Sequence, residues 1–241
     1  MARIDLNKDI KVADMQAVLS AIRSEAAAHE LCLELARVLA APPFGVTLRL
    51  GTRVERLVVE AGRLRAVRTT QGEHEAELTV LAAGVASHAL GRSAGVIVPV
   101  QAIRGYSITA PIRASNRGPR HSITDSARKT VYAPLGTTLR VAGFAEIGTR
   151  GPTPGRTEAL ARETDGVFPG ACDTAAASTW SGLRPATPTS LPVIGLTRIA
   201  GLAVNAGQGA LGFTLAAGSA RLLADLVGGR PPAVDPAPFR P

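Results

Sequence analysis

Hydrophobic positions along the first part of the chain follow a helical and then a strand period. Apolar residues recur at helical spacing over residues 12–41, with Leu31, Leu33, Leu35, Val38 and Leu39 crowding the second half. Pro42-Pro43 stops the pattern, because proline has no amide hydrogen and blocks the preceding turn. One long helix or two shorter ones are expected there. Val46, Leu48 and Leu50 then alternate with Thr47 and Arg49, which predicts a strand over residues 46–50. Two further alternating runs, residues 54–60 and 64–70, flank Ala61-Gly62-Arg63 and predict a hairpin. A third strand at residues 76–82 is expected to complete a small meander. Within it, Leu78 and Val80 to Ala83 form a nearly continuous apolar run ending at Gly84, the pattern of a strand buried on both faces.

The β pattern returns over residues 96–110, interrupted by Pro99 and Gly105. Residues 114–126 are polar and read as a loop. Strands are expected near 130–133 and 138–145, an amphipathic helix over 154–167, and a strand over 178–183 ended by Arg184-Pro185. Residues 187–192 form a Pro-rich turn, 202–205 a short strand, and about 213–227 a helix. The Pro-rich tail, residues 228–241, is expected to be loose.

Composition narrows the class. The 46% hydrophobic content suits an ordinary globular core. The net charge of +8 comes almost wholly from arginine, since Lys8, Lys11 and Lys129 are the only lysines. These arginines are scattered and not interleaved with aromatic residues, which argues against a nucleic-acid surface. Cys32 and Cys172 stand in no metal-binding or CxxC spacing and suit a reducing cytoplasm; Cys32, on an apolar helix face, reads as a small buried thiol. The mixed, charged start, Met1 to Lys11, does not read as a signal peptide. No apolar run looks long enough to span a bilayer, so any membrane contact is expected to be peripheral. His29, His74, His88 and His121 are dispersed and read as surface residues.

Gly207, Gly209 and Gly212 satisfy GxGxxG between a strand and a helix, formally a dinucleotide fingerprint. That fingerprint belongs at the start of a βαβ unit, and the tail beyond this helix has no room for a second strand. Two readings stay open: a turn that lets a ligand approach the backbone and a helix N-terminus, or a close turn whose glycines serve packing.

Three stretches together resemble the FAD-dependent D-amino-acid dehydrogenase and glycine oxidase family. They are Leu78-Thr79-Val80-Leu81-Ala82-Ala83-Gly84; Trp180-Ser181-Gly182-Leu183-Arg184-Pro185-Ala186-Thr187-Pro188 with Leu191-Pro192-Val193-Ile194-Gly195; and Asn205 to Ala220, containing the glycine turn. Arg104-Gly105-Tyr106-Ser107 and Ala142-Gly143-Phe144-Ala145-Glu146 are similar to the family's substrate-domain strands. Two departures stand out: residues 1–28 do not resemble the family and its opening βαβ unit is not found, and Thr189-Ser190 replaces a usual Asp-Gly turn.

The resemblance implies an α/β fold in which a partial FAD-binding, Rossmann-like domain (29–93 and 187–229) receives an inserted α+β substrate domain (94–186). It implies FAD as cofactor, near Gly84, Gly182, Gly207, Gln208, Gly209, Ala210, Leu211, Gly212 and Thr214. It implies an amino acid, most naturally a D-amino acid, as substrate, oxidised to the imino acid by hydride transfer to flavin. Arg184 would bind the substrate carboxylate, against the alternative of a structural ion pair. Tyr106 would place a hydroxyl near the substrate, or be simply a half-buried aromatic. No protein acid or base is expected to be catalytic. Oxygen or a respiratory quinone would take the electrons, and the chain would be cytoplasmic or peripheral to the inner membrane. The competing reading is a non-catalytic remnant or subunit needing a partner chain that supplies the nucleotide-binding unit.

Overall fold

The structure, a computed structural model, describes residues 27–113, 117–148 and 151–241. The chain divides into two compact units: one of residues through Leu50, Ser107–Gly143 and Gly155–Trp180, the other of Gly51–Tyr106, Phe144–Pro154 and Ser181–Pro241. The second unit carries most of the sequence signals.

In that second unit, strands β1 (Val54–Glu60) and β2 (Arg63–Thr69) pair antiparallel across Ala61 and Gly62. Both turn residues have positive φ, 47° and 76°, the geometry whose twist matches a two-residue hairpin. The third strand of the meander is β3 (Gly72–His74), not the expected 76–82. The segment at β4 (Thr79–Leu81) instead joins another sheet, of order β10-β11-β4, with β10 at Val193–Leu196 and β11 at Leu202–Ala206. There β11 runs antiparallel to β10 and parallel to β4. The central strand β11 is almost wholly buried, but β4 is an edge strand. Its Leu81 is buried while Val80 is 43% exposed, so the expectation of burial on both faces fails for this chain.

Helix α2 (Ser87–Ser93) follows β4, and its Leu90 joins Leu57, Leu64, Leu81, Val96, Val98 and Val204 in one core cluster. The long helix of the last third runs Gly212–Val227. Its Leu222 and Leu223 pack with Ile194 of β10 and Ala203 of β11. The tail is not loose: Phe239 packs against the same cluster, and Pro241 Cδ lies 3.2 Å from where a β-carbon on Gly195 would stand. Residues Gly209–Val227 also correct the reading on apolar length. These 19 residues contain an 18-residue window of mean hydropathy 1.4, which reaches the length and composition of a membrane span. Here one face of that helix is spent on the sheet, through Leu222 and Leu223.

The five-stranded sheet has the order β6-β7-β8-β5-β9, with β5 at Gln101–Pro111, β6 at Ile123–Asp125, β7 at Thr130–Leu135, β8 at Thr138–Ile147 and β9 at Ser178–Ala186. Strands β5, β8 and β9 each contribute residues to both units. The β pattern from Val96 becomes strand only at Gln101, beyond Pro99. The short β6 lies in the stretch expected to be loop, paired antiparallel with β7. Strand β9 continues through Arg184-Pro185 rather than ending there.

In the first unit, helix α1 (Ala27–Ala40) ends just before the two prolines, and residues 12–26 of the expected helix lie outside the described residues. Residues 46–50 lie outside the sheets. Their alternation is that of a strand, but alternation alone does not supply a neighbour. Helix α3 (Arg156–Val167) buries Leu160 and Thr164. Tyr132 of β7 is also buried; its hydroxyl donates to Glu163 Oε1 of α3 at 2.7 Å, and its ring meets Phe168 edge-on at 5.1 Å. Burial, then the Glu163 carboxylate, push the Tyr132 phenol well above its ordinary range. Cys172 is buried, which raises its thiol, whereas Cys32 is exposed on α1, contrary to the expected buried thiol; both are free.

Candidate functional site

Strands β4 and β11 run parallel, with Val204 opposite Leu81. Three residues beyond that pair stand Gly207 and Gly84, both with positive φ, 88° and 54°. Ligands of open α/β sheets bind off the carboxyl ends of parallel strands, and two turns that only glycine adopts without strain leave that end together.

The glycines divide the two readings left open by the sequence. Gly207 serves packing: a β-carbon there would stand 2.6 Å from Thr187 Cγ2. Gly84 and Gly209 serve space. Both have positive φ, nothing lies within 4 Å of a β-carbon on Gly84, and only Ala186 Cα, at 4.0 Å, approaches one on Gly209. A tight turn of Gly209–Leu211 then leads directly into helix Gly212–Val227, here α4, and no side chain caps either element. The Gln208 side chain does not cap this entry; its Nε2 donates to Asn205 Oδ1 at 2.6 Å. Ala210, Leu211 and Thr214 are exposed along this entry, and Gly212 is half-buried. An uncapped helix entry beside side-chain-free turns fits an electron-rich, planar group approaching the backbone, and so fits a flavin. Gly182 stands half-buried in β9, two residues before Arg184.

Arg184 is half-buried on the same strand whose next residues, Ala186 and Thr187, abut Gly209 and Gly207. Its Nη1 donates to the Phe144 carbonyl at 3.1 Å, and among the described residues it pairs with no carboxylate. Burial alone lowers its pKa, with no neighbouring anion to oppose the shift. A partly desolvated guanidinium with most of its donors unused is suited to a carboxylate, whose two oxygens match the fork.

Tyr106 is buried, and its hydroxyl is already engaged. It donates to Glu146 Oε2 at 2.6 Å and accepts from the Thr153 amide at 2.7 Å, while Thr153 Oγ1 donates to the same carboxylate oxygen at 2.9 Å. The ring meets Phe144 edge-on, with centroids 5.9 Å apart. The sequence reading placed Phe144 and Glu146 in a stretch similar to the family's substrate-domain strands but gave neither a role; the structure gives them the contacts of Arg184 and Tyr106.

Among the described residues no group of three His, Cys, Asp or Glu side chains could hold a metal. His74 and His88 are half-buried rather than on the surface. His88 Nδ1 lies 2.9 Å from the Val98 carbonyl, and His74 Nε2 is buried without a hydrogen bond.

Residues 11–226 match the family model described as FAD dependent oxidoreductase, so residues 11–28, read from the sequence as outside the resemblance, fall within it. The chain is 47% identical over 195 residues to a D-amino acid dehydrogenase of Cereibacter sphaeroides, covering 80% of this chain and 45% of that protein. It is 44% identical over 221 residues to D-amino acid dehydrogenase 2 of Ralstonia nicotianae, covering 88% and 52%. The chain thus spans about half the length of the curated relatives it matches. Among solved structures, glycine oxidase from Geobacillus kaustophilus superposes with a TM-score of 0.77 at 27% identity, over 89% of this chain and 57% of that one. With its α/β architecture, its glycine turns at the ends of parallel strands and a family match across most of its length, the chain belongs to the FAD-dependent oxidoreductases.

Proposed function

We propose that this chain is the substrate-binding and flavin-facing part of an FAD-dependent D-amino-acid dehydrogenase. The observation that carries the reading is the Arg184 guanidinium, half-buried and without a carboxylate among the described residues, on the strand that reaches the open glycine turn. The curated relatives matched at more than 40% identity, named as D-amino acid dehydrogenases, support the choice of substrate class.

Bound FAD would accept the hydride from the substrate α-carbon. With the loss of a proton from its neutral amine, the amino acid becomes an imino acid, which water hydrolyses to the 2-oxo acid and ammonia. Arg184 would hold the carboxylate and so orient the α-carbon; orientation of this kind supplies much of the rate in a reaction that needs no protein base on carbon. Gly84, Gly209 and the first turn of α4 would border the flavin, with Gly182 nearby on β9. In this reading residues 29–93 and 187–229 belong to the flavin domain and 94–186 to the substrate domain. Tyr106 would act through Phe144 rather than by its own hydroxyl. We place the enzyme in the cytoplasm, with at most peripheral membrane contact, a quinone or oxygen as electron acceptor and no nucleic acid as partner. Its two free cysteines support a reducing compartment, and acid-paired arginines such as Arg68 with Glu73 at 2.6 Å weaken the case for a nucleic-acid partner.

A second reading, a subunit completed by a partner chain, is favoured by the edge of β4, open among the described residues, and by the exposed Leu211 and Phe213 at the entry to α4. The test joins this chain to the preceding half of the Cereibacter sphaeroides relative and follows dye reduction with D- and L-alanine. D-specific reduction supports the dehydrogenase. A folded, flavin-loaded chimera that reduces dye with neither isomer would overturn it.

A further inference from the structure

We infer that Gly105 and the Phe144 carbonyl form a seat that aims the Arg184 guanidinium, which makes Gly105 a positioning residue for carboxylate recognition. The inference deepens the reading of Arg184 given above and rests on it. Gly105 lies inside the 11-residue strand β5, where a glycine weakens a sheet and marks close approach by another group. The approaching group is Arg184. A β-carbon at position 105 would stand 2.1 Å from Nη2, 2.3 Å from Cζ and 2.6 Å from Nη1. Three guanidinium atoms at similar, impossibly short distances place the planar group face-on to the missing side chain. The φ of Gly105 is not in the left-handed region, so alanine fits the backbone there and only the space is denied.

The other wall of the seat is conformationally costly. Phe144 has φ 62° in the middle of β8, a left-handed backbone that a bulky residue rarely adopts. Its carbonyl accepts from Arg184 Nη1 at 3.1 Å. The Phe144 ring is met edge-on by Tyr106, whose hydroxyl is anchored by Glu146 and Thr153. Strain at one backbone position, stabilised by a buried neighbour, thus ends on one guanidinium nitrogen and leaves the other donors of the fork for a ligand.

The test is isothermal titration of benzoate, a plain monocarboxylate, into the flavin-loaded chimera described above and its Gly105→Ala, Arg184→Ala and doubly substituted forms. Each single change is expected to weaken benzoate by at least about tenfold, because a misaimed fork loses its paired hydrogen bonds. The double form should be no weaker than either single one, and Gly105→Ala should keep the wild-type melting temperature, since the flexible end of Arg184 yields. Wild-type affinity in Gly105→Ala beside weak binding in Arg184→Ala overturns the seat and leaves the carboxylate reading standing, and additive losses do the same. Unchanged affinity in Arg184→Ala, or a flavin-loaded wild-type chimera that takes up no benzoate, overturns both. Should Gly105→Ala fail to fold, the added Arg184→Ala removes the clashing atoms and must restore folding; an unrecovered double form also overturns the seat.

Discussion

Asp225, buried in the last turn of α4, accepts a hydrogen bond from Arg230 Nε at 2.8 Å, and so ties the end of the helix to the start of the tail. Arg221, one turn earlier, donates to the other carboxylate oxygen, also at 2.8 Å. The hydrogen bonds from Arg230 and then Arg221 hold the Asp225 carboxyl below its ordinary range. A carboxyl depressed in the folded state contributes stability above its unfolded pKa, about 3.9 for aspartate, and loses it as pH falls through the lower folded value. Asp225→Asn should therefore lower the melting temperature at neutral pH, with the gap to wild type closing below about pH 4. Thermal melts of both proteins from pH 7 to pH 3 check this; a constant gap counts against the assignment.

In an assembled, flavin-loaded enzyme, Arg184→Ala should weaken substrate binding by about 2–5 kcal/mol, the range for losing one partner of a desolvated charge pair. Arg184→Lys should recover only part of this, because an ammonium is a point charge rather than a fork. Steady-state kinetics with D-alanine read the effect as KM. Unchanged KM and turnover in Arg184→Ala would remove the residue from the substrate site.

The isolated chain should hold FAD weakly. It presents the turns at Gly84 and Gly209 that would border the flavin, yet the βαβ unit that grips pyrophosphate and adenosine in such folds is not found in its sequence. Absorbance at flavin wavelengths after gel filtration measures this directly, and a stoichiometric, non-exchanging yellow chain would contradict it.

The isolated chain should also self-associate. Among the described residues β4 ends its sheet with an open edge and an exposed Val80, and the entry to α4 exposes Leu211 and Phe213. Open edges template pairing, and exposed apolar surface promotes association. Light scattering coupled to size exclusion should show oligomers. Hydrogen exchange should find the amides of β4 less protected than those of β7 and β8. A compact monomer with equal protection in all three would refute the prediction.

Much of the local structure was legible because local chemistry decides it. The β1–β2 hairpin follows from alternation around Ala61-Gly62, and α3 and α4 from apolar periodicity with glycine or proline at their ends. The glycine turn after β11 was legible as a turn, and the strand motifs carried the family resemblance. The failures over strands have one cause. Alternation says that a segment suits a sheet but not which strand it joins, so β4 read as part of the meander when its partner, β11, lies more than a hundred residues away in sequence. The brief apolar run Val193–Leu196 carried no visible strand signal, because a four-residue strand is defined by its neighbour.

By itself the sequence determined the family and the positions of the glycine turns, and it singled out Arg184, since these depend on residue type and order. Only the tertiary structure decided what each does there. It made Gly207 a packing glycine and left Gly84 and Gly209 open, turned the Tyr106 hydroxyl toward Glu146, and laid Arg184 across Gly105 against the carbonyl of a left-handed Phe144. The physical reason is distance: the free space at a β-carbon and the direction of a carbonyl are set by strands brought together across 40 to 77 residues of chain, as Phe144 with Arg184 and Arg104 with Ser181 show.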